Sequence, residues 1–239
     1  MAGTEEAHGR ALRRLSKEWE VPMDGGQSEA LLGYAHLLLT WGAKINLTGA
    51  RSIEVLLDDH FPDAFAVASR VPAAERAVDV GSGGGLPALP LALLRPNLAI
   101  DLCEPIAKKG AFLRTAVREL GLSDRVRLRA MRGEALAEAE PRSFDLALSR
   151  ATFSPTDWLL FARRLVRPGG RIFALAAPDA VPRDAGATLY LSGRRALVEV
   201  SVPVEEADVP RGTPRADSEA PEPPSDVPRG TSGRGGHGV

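Results

Sequence analysis

This sequence predicts a doubly wound α/β domain, with a mostly parallel, seven-stranded sheet and a Rossmann-like layering. Three observations carry that expectation. From residue 77 onward, short apolar runs alternate with segments of helical period. A glycine-rich loop, Gly81-Ser82-Gly83-Gly84-Gly85, stands between the first such run and the first such helix. The last two apolar runs, 187–191 and 196–202, are separated by little more than a Ser192-Gly193 turn, which predicts an antiparallel edge hairpin. The 239 residues are 44% hydrophobic, enough for one core of ordinary size and a small extension.

The elements follow in order. Residues 4–20 read as a helix, with Leu12, Leu15 and Trp19 at helical spacing, and Pro22 and Gly25-Gly26 break it. Ser28 caps a second helix reaching residue 41, with Leu31, Ala35, Leu38 and Leu39 on one face. After the loop Asn46-Leu47-Thr48-Gly49, residues 52–71 are helical with a break near Pro62. Residues 1–71 therefore form an N-terminal helical extension. The domain proper spans 72–203. Its strands are 77–80, 99–103, 126–130, 144–149 and 171–176, followed by the hairpin. Its helices are 86–94, 106–120 and 156–166. Pro87 and Pro90 fall in or near the first turn of their helix, where amide hydrogens lack partners anyway. Pro168-Gly169-Gly170 turns the chain into the fifth strand. Residues 204–239 are rich in Pro, Gly and charge and have no apolar period, so disorder is expected. A hexapeptide, Asp208-Val209-Pro210-Arg211-Gly212-Thr213, recurs there as Asp226-Val227-Pro228-Arg229-Gly230-Thr231. Two copies are too few for a solenoid and read as a local duplication or a short linear binding motif.

Composition removes several function classes. No apolar run approaches the roughly 18 residues of a membrane span, and residues 1–14 mix acids and bases without the apolar core of a signal peptide. Cys103 is the only cysteine, so an intrachain disulfide and a multi-cysteine zinc site are both excluded. A soluble cytoplasmic monomer without a metal is expected. The formal net charge is −1, so nucleic acid would have to be met through a local basic patch.

The glycine loop carries the chemistry. Glycines between a strand and a helix let backbone approach a ligand closely, and the ligand sits beyond the carboxyl ends of the strands. A dinucleotide would want G-x-G-x-x-G, and the sixth position here is Leu86. Asp79, just before the loop, would repel a pyrophosphate but suits the ammonium of a methionine moiety. Glu104, nineteen residues after Gly85 at the end of the second strand, can accept both hydroxyls of a ribose. Asp79, Gly81, Gly83 and Glu104 together point to S-adenosylmethionine as cofactor and to a class I methyltransferase.

The methyl acceptor is approached by elimination. Pyrimidine C5 methylation needs a cysteine nucleophile, and Cys103 lies inside the second strand, where it reads as core. Exocyclic amine methylation typically uses Asn/Asp-Pro-Pro-aromatic after the fourth strand, where this chain has Ser149-Arg150-Ala151-Thr152-Phe153. An in-plane lone pair such as guanine N7 needs no base, only positioning.

Several segments, in order, resemble the small-subunit ribosomal RNA guanine-N7 methyltransferase family, also called glucose-inhibited division protein B. They are Asn46-Leu47-Thr48, His60-x-x-Asp63, Asp79 through Pro87 with Pro90-Leu91, Lys108-Lys109, Phe112-Leu113, Arg132-x-Glu134, Phe144-Asp145 and Ser149-Arg150-Ala151. The likeness covers about residues 30–202. It implies that Gly81 and Leu86 line the cofactor pocket and that Gly133 and Glu134 meet the adenine. It implies that Arg150 lies beside cofactor and acceptor. Lys108, Arg132 and Arg150 would form a cationic mouth for RNA phosphate or a guanine edge, taking small-subunit rRNA or the assembled subunit as partner.

Other features have plainer readings. Arg125, Arg127 and Arg129 alternate on a strand as a solvated face would, and His60 and Asp63 tie the N-terminal helices to the core. Three departures stand out. Ala174-Leu175-Ala176-Ala177-Pro178 occupies the place where the family usually has Lys-Gly, the segment between that strand and the final hairpin is short, and the loop has Gly84 where Ala or Pro is usual. A small-molecule methyltransferase and a non-catalytic adenosylmethionine-binding protein docked on the ribosome remain the alternatives.

Overall fold

Helix termini in the first seventy residues are set by side chains that satisfy free backbone groups. In the computed structural model, which describes residues 2–71, 75–150, 152–180, 188–192 and 195–204, α1 spans Ala2–Glu18 and α2 spans Gly25–Gly42. The cap of α2 is Asp24, not Ser28. Asp24 accepts from the Gln27 amide at 2.7 Å, and the Gln27 side chain accepts from the Asp24 amide at 2.9 Å. This reciprocal box draws Gly25 and Gly26 into the first helical turn, so they start the helix instead of breaking the chain. Gln27 also donates to the Leu93 carbonyl at 2.8 Å, joining α2 to the end of a helix 66 residues away.

Ser52 caps α3 (Ile53–Asp59), and α4 (Phe61–Ala68) follows with His60 between them and a proline in its first turn. The sheet then begins. Its strands are β1 (Arg76–Val80), β2 (Ala99–Cys103), β3 (Val126–Arg129), β4 (Phe144–Arg150), β5 (Val166–Ala176), β6 (Thr188–Ser192) and β7 (Arg195–Ser201). Between them lie α5 (Ala88–Leu94), α6 (Ala107–Glu119), α7 (Gly133–Ala139) and α8 (Pro155–Ala162). The strand order is β3-β2-β1-β4-β5-β7-β6. The first five strands pair in parallel, and β7 enters antiparallel between β5 and β6. This is the doubly wound, mostly parallel, seven-stranded sheet that the sequence predicts.

Two elements differ from expectation. Helix α7 has no counterpart in the sequence reading. Its seven residues bury Gly133, Leu136 and Ala137 only, too few to show a helical period. Helix α8 ends at Ala162, and β5 already begins at Val166. Val166 pairs with Phe144, and Arg171 then pairs with Leu146, so Pro168-Gly169-Gly170 form an irregularity within the strand instead of a turn before it.

The sheet separates two apolar clusters. Alternate residues of each strand face opposite sides. Ala77, Ile100, Leu102, Leu146, Leu148 and Phe173 join the helices α1–α6. Val78, Val80, Ala147, Ile172 and Ala174 join α7 and α8. Residues 1–204 make one compact unit. The 204–239 segment with its repeated hexapeptide lies outside the described residues, apart from Val204. No helix among the described residues is long and apolar enough to cross a membrane.

Candidate active site

Alternation along β1 decides where Asp79 points. Val78 and Val80 face α7 and α8, so Ala77 and Asp79 face the N-terminal helices. In register, Asp79 sits between Leu102 of β2 and Leu148 of β4, both fully buried. A carboxylate so placed is stripped of water. Burial pushes its pKa from 3.8 up to about 7, with Glu104 adding to the rise and Ser82 and Arg150 opposing it. Its Oδ2 is buried and has no hydrogen-bond partner among the described residues. A buried acceptor without a donor is costly, which makes this the place for a cationic donor from a ligand.

The glycine loop is held from both sides. The Gly81 and Ser82 amides donate to the Cys103 carbonyl at 2.9 and 3.3 Å. Glu104 braces it further, with Oε2 accepting from the Gly83 amide at 2.9 Å and Oε1 from the Ile106 amide at 2.8 Å. A carboxylate has about four lone-pair sites, so two such bonds leave capacity for a hydroxyl. Gly81 has φ +77°, and a Cβ there would lie 2.2 Å from Thr152 Oγ1. The backbone is thus pressed against the segment after β4.

Gly84 has its own reason. A Cβ would meet Leu38 Cδ1 and the Leu47 carbonyl oxygen, each at 3.0 Å, and the Tyr34 hydroxyl donates to the Gly84 carbonyl at 2.6 Å. This chain packs its N-terminal segment directly on the loop, and glycine is what fits.

The remaining site residues spread along the carboxyl ends of the strands. Lys108 and Arg132 are exposed, at the starts of α6 and α7 after β2 and β3. Arg150 closes β4 with its side chain only 16% exposed. From β3 to β4 across this rim is three strand spacings, about 14 Å. Leu86 is buried beside the loop. Gly133 is buried too, where a Cβ would lie 2.8 Å from Val80 Cγ1 and 3.2 Å from the Phe161 ring, while Glu134 is exposed.

Arg150 does not simply face outward. Its Nη1 lies 2.5 Å from His60 Nδ1 and 3.2 Å from Asp63 Oδ2. The His60-x-x-Asp63 pair therefore ties the helices to this one arginine. Tyr34, Thr152 and Ile106 were not singled out by sequence reasoning. Ile106 is half exposed two residues beyond Glu104, an apolar signal that could have been noticed.

Two readings of basic and thiol groups sharpen. Arg125 is not solvated. It donates to the carbonyls of Ala92 at 2.6 Å and Leu98 at 3.0 Å, closing the end of α5. Arg129 belongs to an ion cluster with Asp101 and Glu140, which leaves Arg127 as the exposed member of the trio. The Cys103 thiol is buried and donates to the Met131 carbonyl at 3.1 Å; burial, with Asp79 and Glu104 beside it, pushes its pKa up to about 12. It is a poor nucleophile, as the core reading requires.

Comparison with known proteins now bears on the site. The family described as GidB, rRNA small subunit methyltransferase G, matches residues 27–181. The chain belongs to the rRNA small subunit methyltransferase G family. Among its relatives is the ribosomal RNA small subunit methyltransferase G of Anaeromyxobacter dehalogenans, 37% identical over 188 residues, covering 75% of this chain and 86% of the relative. The protein of that name from Ralstonia nicotianae is 34% identical over 191 residues, covering 75% and 84%. The one from Myxococcus xanthus is 41% identical over 140 residues, covering 58% and 64%. As a member of this family, the chain is an rRNA methyltransferase with S-adenosylmethionine as methyl donor.

Proposed function

We propose that the chain methylates N7 of a guanine in small-subunit ribosomal RNA, acting as a cytoplasmic monomer. The observation that carries the site assignment is the buried Oδ2 of Asp79 beside the glycine loop, without a hydrogen-bond partner among the described residues. It fits the ammonium of adenosylmethionine and no phosphate. Gly81, Gly83 and Leu86 would line the pocket, and Glu104 would accept from the ribose. Ile106, Gly133 and Glu134 would border the adenine. The chemistry the cofactor supplies is an electrophilic methyl on a sulfonium.

What the chain itself must do is modest. Guanine N7 carries a lone pair in the ring plane and no proton, so no side chain has to act as a base. Positioning is sufficient. Arg150 would hold the guanine O6 by its planar fork, leaving the N7 lone pair free for the methyl group. Lys108 and Arg132, exposed along the same rim, would take phosphates.

The test is transfer of a tritiated methyl group to unmethylated small subunits, to naked small-subunit rRNA and to a metabolite extract. Nuclease digestion then identifies the labelled nucleoside. Label in 7-methylguanosine from either RNA sample is expected. Label at another atom overturns the N7 reading, and label confined to metabolites overturns the RNA reading.

A further inference from the structure

The N-terminal helices contribute more than cover. His60 lies between α3 and α4, at the N-cap of α4, yet its side chain makes no capping hydrogen bond. Ser, Thr, Asp or Asn would serve that position better. The imidazole instead meets Arg150 Nη1 at 2.5 Å. Arginine is always a donor, so Nδ1 must be the acceptor and the ring proton must sit on Nε2. One turn on, Asp63 is buried at 4% side-chain exposure and reaches the same Nη1 at 3.2 Å. An acid and an imidazole from one helix junction thus converge on a single nitrogen, 87 and 90 residues away in sequence.

The geometry points to His60 and Asp63 as positioning residues for methyl transfer; we propose that they fix the plane of the Arg150 guanidinium. Both contacts engage Nη1. The other edge of the fork, Nη2 and Nε, takes part in neither. A guanidinium pinned at one nitrogen has its remaining donors aimed in one direction, which is what a bidentate contact needs. Arg150 also lies within electrostatic reach of Asp79 and Tyr34. Two carboxylates, Asp63 and Asp79, then compete for one arginine. The His60 contact biases it toward α4 and keeps Asp79 available to a ligand. This inference rests on the reading that Arg150 holds the acceptor.

The experiment measures single-turnover and steady-state methylation of small subunits, together with cofactor affinity by calorimetry and melting temperature. His60→Ala and Asp63→Asn should each lower kcat about tenfold, with cofactor Kd within twofold. His60→Asn, whose amide oxygen can replace Nδ1 as acceptor, should recover most of the rate, whereas His60→Gln should not. In an Arg150→Ala background, Asp63→Asn should lower the rate no further. If His60→Ala melts below the assay temperature, the Asn and Gln pair gives the same comparison. Wild-type kcat in both His60→Gln and Asp63→Asn, with Arg150→Ala slowed, overturns the positioning role alone. So does additivity of Asp63→Asn with Arg150→Ala. A wild-type rate for Arg150→Ala overturns the acceptor reading of Arg150 and the positioning role with it.

Discussion

The two faces of the sheet carry two clusters of buried charge, built on opposite plans. Toward α7, Asp101 of β2 accepts from Arg76 at 2.8 Å and Arg129 at 3.0 Å. Glu140 accepts from the same two arginines. Two cations meet two anions, and each group has two partners. Toward the N-terminal helices, Arg150 pairs with Asp63 and lies within electrostatic reach of Asp79. Among the described residues the Asp79 Oδ2 in that cluster has no hydrogen-bond partner. A closed cluster holds elements together. An open one is an unfinished structure that a ligand cation completes.

The sharpest way to break this contrast is Asp101→Ala. It leaves the two guanidiniums with Glu140 as their remaining partner in the cluster, and stability should fall by about 3 kcal/mol, the low end for a broken buried ion pair because Arg76 is partly exposed. Chemical denaturation checks this, and cofactor affinity should hold. Unchanged stability would remove Asp101 from the closed cluster.

Asp79→Asn should do the opposite. Cofactor affinity should drop by about 1–3 kcal/mol, the worth of a charged hydrogen bond, while the unfolding midpoint stays level or rises. The pH behaviour follows from a carboxyl that titrates near 7 when folded and near 3.8 otherwise. Its contribution to stability is complete below 3.8 and is lost as pH rises through about 7. Cofactor binding runs the other way, since the cation needs the ionised form. Calorimetry in buffers of different ionisation enthalpy should show about one proton released on binding at pH 6, where the ligand ammonium is already charged. Asp79→Asn should abolish that release. Its persistence would assign the proton elsewhere.

The smallest effect belongs to the rim. Lys108→Ala should leave stability and cofactor binding intact and lower the slope of log affinity for subunits against log salt by about one unit. An unaltered slope would place Lys108 off the RNA path.

Legibility in the sequence followed the range of the interactions. The strand ends at Ala99 and Cys103 agree with the sequence reading because apolar runs bounded by polar residues are local signals. The glycine loop, Asp79 and Glu104 were legible for the same reason, each lying at a strand end that period alone locates. Helix α7 was not, because one buried leucine carries no period. The capping box at Asp24 and Gln27 is local and was available, but the two glycines inside it gave a stronger contrary signal. The bond from Tyr34 to the loop spans 50 residues, and the one from His60 to Arg150 spans 90. Nothing in a linear pattern ties such residues together until the sheet brings them to one rim. Arg125 shows the same limit: alternation on β3 suggested solvent, and only tertiary packing put carbonyls of α5 in its reach.

The insertion of β7 between β5 and β6 has a consequence for the order in which the fold can close. During synthesis β1 to β5 emerge in sequence, and each can pair as soon as its neighbour exists. The outer edge of β5, with Ile172, Phe173 and Ala174 in its middle, has no partner until residues 195–201 arrive. For that interval the chain presents a long, apolar, unpaired strand, the kind of edge that recruits other chains. The last of the described strands to be made is therefore the one that covers β5. A ribosome that stalls shortly before it leaves behind a nearly complete enzyme with an adhesive side.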